Sequence, residues 1–192
     1  MSETRTLTPA AERVLEVAGK LFYANGIHAV GVDSIAAAAG VTKKTLYDRF
    51  GAKETLVAEY LRRRDERWRA HVLAVVAHGA RTAPVRRPLL VFDALEQWMA
   101  TENSRGCGFV NAHAELPDGE HPGREAIKAQ KEWMLGYLRE LAEAAGLRSA
   151  GKLAESLFIL LEGATVAASL NVVPWAVASA KRIAKQLLES AT

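Results

Sequence analysis

Residues 35–50 read Ile-Ala-Ala-Ala-Ala-Gly-Val-Thr-Lys-Lys-Thr-Leu-Tyr-Asp-Arg-Phe, and no other stretch limits the fold as tightly. An alanine-rich segment lets a neighbouring helix pack close. Gly40 can take the left-handed backbone conformation that ends a helix. Thr42 is a good N-cap for a second helix. Val41 can plug the angle between the two. The spacing predicts two short helices joined by a tight turn, a helix-turn-helix. The second helix gathers Thr42, Lys43, Lys44, Thr45, Tyr47 and Arg49, side chains suited to phosphate oxygens and to base edges in a DNA major groove.

Charge supports that focus. The chain of 192 residues carries a net charge of +3, which alone argues for no particular partner. Between Thr42 and Lys53 lie Lys43, Lys44, Arg49 and Lys53 against the single acid Asp48, so this short segment matches the whole chain's net charge. Basic character concentrated on one segment is the footprint expected of a nucleic-acid surface.

Helical periodicity extends both ways, and no strand pattern, repeat or low-complexity tract interrupts it. Thr8-Pro9 is a helix start, and Val14, Leu15, Ala18, Leu21 and Phe22 follow at helical spacing up to Asn25-Gly26. Further helices are predicted over 32–39 and 43–49, completing a three-helix head with Phe22, Ile35, Val41, Leu46 and Phe50 as its core. A long helix is expected over 53–78. In it Arg62, Arg63 and Arg64, beside Asp65 and Glu66, read as a solvated face. After a basic, proline-containing linker over 79–88, helices are expected over 89–100, 106–116, 124–145 and 152–170, and from Pro174 onward. The expected fold is all-α with nine helices. Residues 1–51 form a DNA-binding head, and 52–192 a body for ligand binding and dimerisation.

In the body, Leu153, Leu157, Leu160, Leu161, Ala164 and Ala168 fall on one stripe. Trp175, Ala178, Leu187 and Leu188 lie on the last helix. These surfaces can complete the monomer core. Alternatively Leu153, Leu157, Leu160, Ala164, Ala168, Trp175, Ala178 and Leu187 pair with the same residues of a second chain as a four-helix bundle. Phe92, Trp98, Met99, Phe109, Trp133, Met134, Tyr137 and Phe158 can pack as plain core or enclose an apolar cavity. Asn111, His113, Glu115 and Glu162 would be that cavity's polar anchors.

Other chemistries find less support. His113, Glu115, Asp118, Glu120 and His121 match no metal-ligand spacing, and no cofactor is expected. The one cysteine, Cys107, rules out an internal disulfide and fits a reducing compartment, the cytoplasm. Its flanking glycines and nearby Arg105 allow either a packing role or a redox role. The N-terminus lacks the apolar core of a signal peptide. The longest uncharged run, 163–180, is too polar and broken to span a membrane. An enzyme housed in the body would have only Cys107 and His113 as a candidate pair, with no motif behind it. A dimeric interaction module with a vestigial head is the other alternative.

The segment from Val14 to Leu56 resembles the TetR family of transcriptional regulators. The carrying residues are Leu-Phe-Tyr-Ala-Asn-Gly-Ile at 21–27, the run at 35–50 with its Leu-Tyr-x-x-Phe ending, and Gly-Ala-Lys-Glu-Thr-Leu at 51–56. The resemblance implies a homodimeric repressor that binds a palindromic double-stranded DNA operator and responds to a small-molecule effector. It implies a regulator rather than an enzyme. The stretch from Gly106 to Leu116, with His121-Pro122-Gly123, also resembles a segment found in one group of these regulators. Two positions depart from the family pattern. Arg49 stands where histidine is common before the closing phenylalanine, and Gly31 replaces a hydroxyl residue at the start of the second helix.

Overall fold

The computed structural model describes residues 8–79, 81–102, 105–116 and 119–192. Among these are nine α-helices and a 3₁₀ turn, with no strand. The helices are α1 (Pro9–Asn25), α2 (Val32–Ala39), α3 (Lys43–Phe50), α4 (Lys53–His78), α5 (Arg87–Thr101), α6 (Gly108–Glu115), α7 (Pro122–Ala144), α8 (Ala150–Ser169) and α9 (Ala176–Ala191). The 3₁₀ turn, Pro84–Arg86, precedes α5. The all-α expectation holds. The final helix starts two residues later than expected, because Pro174 and Trp175 belong to the preceding turn, with Trp175 in the left-handed region (φ 58°).

The chain divides into two compact units. One contains the chain up to Arg64 together with Phe109–Ile127; the other contains Asp65–Gly108 and Lys128–Thr192.

In the first unit, short-range signals set the helix ends. The Thr8 hydroxyl accepts a hydrogen bond from Ala11 N–H at 3.4 Å, and Pro9 follows at the first turn. Past α2, Gly40 sits at φ 66°, ψ 36°. There Gly40 N–H bonds the Ala37 carbonyl and Val41 N–H that of Ala36. That pair of reversed bonds is a Schellman ending, which satisfies carbonyls the helix itself leaves open. Buried Val14, Leu15, Ala18 and Phe22 of α1 meet Ile35, Ala36 and Ala39 of α2, with Leu46 and Phe50 of α3. Val41 is only half-buried, so it flanks this core rather than filling it.

The arginine triplet does not form one solvated face. Arg62 and Arg63 are exposed and pair with Glu59 and Glu12. Arg64 is 4% exposed, with its guanidinium 4.5 Å from the centre of the Tyr23 ring. Three consecutive helix positions span roughly 200° of the circumference, so one of three must turn inward once a neighbour covers that side. A guanidinium that stacks on an aromatic ring tolerates that burial.

In the second unit, Trp68 and Val72 of α4, Phe92 and Leu95 of α5, Met134 and Leu138 of α7, Leu153, Leu157 and Leu161 of α8, and Leu188 of α9 share one apolar core. Arg148 ties down the end of α9: its N–H bonds the Ala191 carbonyl and its guanidinium the Ser190 carbonyl. No helix among the described residues is long and apolar enough to cross a membrane.

Candidate nucleic-acid interface

Two buried side chains aim α3. Leu46 and Phe50 are 0% and 6% exposed. With those anchors inside, Lys43, Lys44, Asp48 and Arg49 all face solvent, and Tyr47 is 40% exposed. The helix start is fixed locally. Thr42 Oγ1 accepts from Thr45 N–H at 3.1 Å and lies 2.8 Å from Thr45 Oγ1. Thr42 is exposed and Thr45 half-buried. Arg13 of α1 donates through Nε to the Ala39 carbonyl at 3.1 Å, bracing the end of α2 from behind.

Two of the basic residues already have partners. Lys43 Nζ lies 3.1 Å from Asp33 Oδ2 across the turn between α2 and α3. Lys53, the last cation of the basic segment, donates to the Ile27 carbonyl at 2.6 Å with its amine 5.9 Å from the Phe22 ring centre. Lysine carries three donors, so the bond to Ile27 leaves two for a further acceptor. Lys44 and Arg49 have no carboxylate partner among the described residues. The face is therefore a small cationic patch with hydroxyl and phenol groups interleaved. Its chemistry matches phosphate and base-edge acceptors.

Glu115, at the end of α6, contributes a contact that sequence reading did not reveal. Its Oε2 accepts from His28 N–H at 2.8 Å. The backbone at Gly26 (φ 93°) leaves room for this carboxylate: a Cβ there would meet its oxygens at 3.1 and 3.2 Å. Lys53 and Glu115 thus hold the loop between α1 and α2 from opposite chemistries, one through a carbonyl and one through an N–H. No local rule pairs residues 87 positions apart, so the only sequence signal was the glycine at 26.

The expected ligand-binding residues fall in both units. Phe109, Asn111 and His113 belong to the first unit, where Phe109 is buried and Asn111 and His113 are exposed. Phe92, Trp98, Trp133, Tyr137, Phe158 and Glu162 belong to the second. Phe92 and Trp98 sit in its core, with Trp98 edge-on to Trp68 at 5.4 Å. Half-buried Trp133 and Tyr137 stack at 5.4 Å with ring planes 6° apart. Burial, and secondarily Glu140, pushes the Tyr137 phenol above its ordinary value. Both Glu162 oxygens accept from Lys131 Nζ at 2.7 Å, and that amine also lies 3.5 Å from Cys107 Sγ. The Arg69 guanidinium lies 4.9 Å from the Trp133 ring centre; Asp65 and Gln130 are buried, and Asp65 Oδ1, Arg69 Nε and Gln130 Oε1 have no hydrogen-bond partner among the described residues. Asp118 lies outside the described residues.

Of the expected pairing residues, Leu153, Leu157 and Ala164 are in the second unit's core, and Leu160 and Leu187 pack half-buried against it. Ala168 is half-buried, Ala178 exposed, and Trp175 81% exposed. A different stripe of α8 faces outward, Ile159 (69% exposed), Gly163 and Val166, and exposed Leu170, Val172 and Val173 follow it in the turn to α9.

A three-helix head whose third helix presents a cationic front defines a helix-turn-helix DNA-binding protein. The family described as "Bacterial regulatory proteins, tetR family" matches residues 14–60. A solved TetR-family transcriptional regulator from Streptomyces coelicolor is 33% identical, with 95% of each chain covered and a TM-score of 0.84. A second TetR-type regulator, from Streptomyces avermitilis, is 28% identical over 96% of this chain and 98% of its own, with a TM-score of 0.81. An uncharacterized helix-turn-helix-type regulator of Mycobacterium tuberculosis is 34% identical over 120 residues, 62% of this chain. That match spans 58% of the Mycobacterium protein's length. The chain belongs to the TetR family of transcriptional regulators. It is a DNA-binding regulator and not an enzyme.

Proposed function

We propose that the protein is a repressor that binds a palindromic operator as a homodimer and is released by a small-molecule effector. The observation carrying this reading is the front of α3: Lys43, Lys44, Tyr47 and Arg49 turned to solvent by the buried anchors Leu46 and Phe50. Lys44 and Arg49 meet phosphates or guanine acceptors, Tyr47 and Thr45 add base or phosphate contacts, and Thr42 caps the helix. Lys53 meets a phosphate with the donors left by Ile27. Residues 1–51 serve DNA recognition, and 52–192 serve effector binding and pairing.

Pairing is supported by the outward stripe of α8 and by the exposed turn to α9. Apolar side chains exposed contiguously on a helix are the usual mark of a covered surface. A twofold pair would set two α3 helices one turn of DNA apart, about 34–36 Å. The effector is bound by the aromatic side chains of the body. It prefers a body conformation that does not fit the operator spacing, so binding shifts the population away from the DNA-competent form.

The test is a titration against duplex DNA at several salt concentrations. Binding should weaken steeply with salt, about 10³–10⁵-fold between 50 and 200 mM if 6–10 phosphates are neutralised. Lys44→Ala should weaken binding and flatten that dependence by about one ion per subunit, and Tyr47→Ala should also weaken it. Neither should move the thermal unfolding midpoint. Unchanged affinity in both variants rejects the assignment of this face.

A further inference from the structure

The front of α3 carries one acid–base pair that the reading above leaves unused. Asp33 lies in the first turn of α2, and its Oδ2 is 3.1 Å from Lys43 Nζ, ten residues on and across the helix-turn-helix corner. Both side chains are at least half exposed. Lys43 is the first residue of α3, directly after the Thr42 cap. A carboxylate at this spot opposes the rest of the surface, where Lys44 and Arg49 face solvent without a carboxylate partner among the described residues.

We propose that Asp33 is a specificity-determining residue that acts by restraining Lys43. The inference rests on the reading of α3 as the DNA surface. On arbitrary duplex, attraction comes from phosphates, and each one neutralised releases a counterion. Asp33 occupies the Lys43 ammonium, which on arbitrary duplex would otherwise take a phosphate oxygen. At a spacing of about 3 Å the pair is far inside the roughly 10 Å screening length of 0.1 M salt. Lys43 is thereby withheld from non-specific backbone contacts. A preferred site changes the balance. An ammonium has three donors, so Lys43 can keep Asp33 on one and give another to a guanine O6 or N7. There the carboxylate aims the lysine instead of competing for it. The acid thus penalises wrong duplexes more than the right one, which is how a repulsive element builds specificity.

The experiment uses the full chain and two probes. One is a random-sequence duplex pool; the other is the duplex that wild-type protein enriches from that pool. Asp33→Asn should tighten binding to the random pool about five- to tenfold. Its salt dependence should steepen by about 0.9 per subunit, one extra phosphate. Affinity for the enriched duplex should stay within about twofold or fall. Asp33→Ser should behave alike, which separates the lost charge from any effect special to asparagine. In a Lys43→Ala background, the gain on random duplex should vanish. Equal gains on both probes, no gain on the pool, or a gain that persists without Lys43 would each overturn the proposal. A wild-type protein that binds neither probe at low salt removes the DNA surface itself, and the role of Asp33 with it.

Discussion

Helices α3 and α8 both present a stripe of side chains to solvent, and they arrive there by opposite routes. Helix α3 has eight residues and is too short to be stable alone. Its shape comes from its ends, with Thr42 capping one and Gly51 closing the other, and from two apolar anchors. Everything else on it is polar, so the outward face follows once Leu46 and Phe50 are placed inside. Helix α8 has twenty residues, of which only Lys152, Glu155 and Glu162 are charged, and it carries apolar residues on more than one side. Packing decides which stripe it buries. The lesson is that a short capped helix declares its working face in its own sequence, whereas a helix with apolar residues on more than one side takes its buried face from its neighbours.

The largest effect should come from removing an α3 anchor. Leu46→Ala deletes a fully buried side chain and should destabilise the head by about 2–5 kcal/mol. DNA binding should be lost with it. Thermal unfolding followed by circular dichroism checks this, and a melt unchanged within error would show that packing does not orient α3. The counterpart on α8 is a double change, Ile159→Asp with Val166→Asp. Both positions are exposed, so the monomer should keep its helicity while self-association weakens by at least tenfold. Sedimentation over a concentration series reads this directly. A pair that survives both charges must be formed by another surface.

The smallest test concerns Tyr137 on α7, whose phenol titrates above its ordinary value because burial, and then Glu140, disfavour the phenolate. The unfolded chain ionises first, near pH 10. The stability this phenol contributes is complete below that pH and is lost as pH rises through the folded-state value. Tyr137→Phe should therefore lose less stability than wild type as pH rises above about 10, as followed by denaturant midpoints. Parallel curves would show that this ring lies in a more watery setting than the stack with Trp133 implies.

The same contrast explains what the sequence made legible. Helix limits such as 32–39 and 53–78 were readable because caps, glycines and prolines act within a few residues. The all-α fold followed from periodicity alone. The inward turn of Arg64 was not readable, since the ring that receives it lies 41 positions earlier in the chain. The choice between the Leu153–Leu157 stripe and the Ile159–Val166 stripe was equally hidden, because both are apolar and only the packed core distinguishes them. The Asp33–Lys43 pair and the Glu115–His28 bond depend on tertiary placement, for which the sequence offers no spacing rule.

The grip of Glu115 on the backbone at His28 has a genetic corollary. Loss-of-binding alleles need not cluster in the residues that meet DNA. A selection for loss of DNA binding should also return changes at position 115 and at Gly26, where any side chain would crowd the carboxylate. Such alleles would map to two distant codons yet report a single joint.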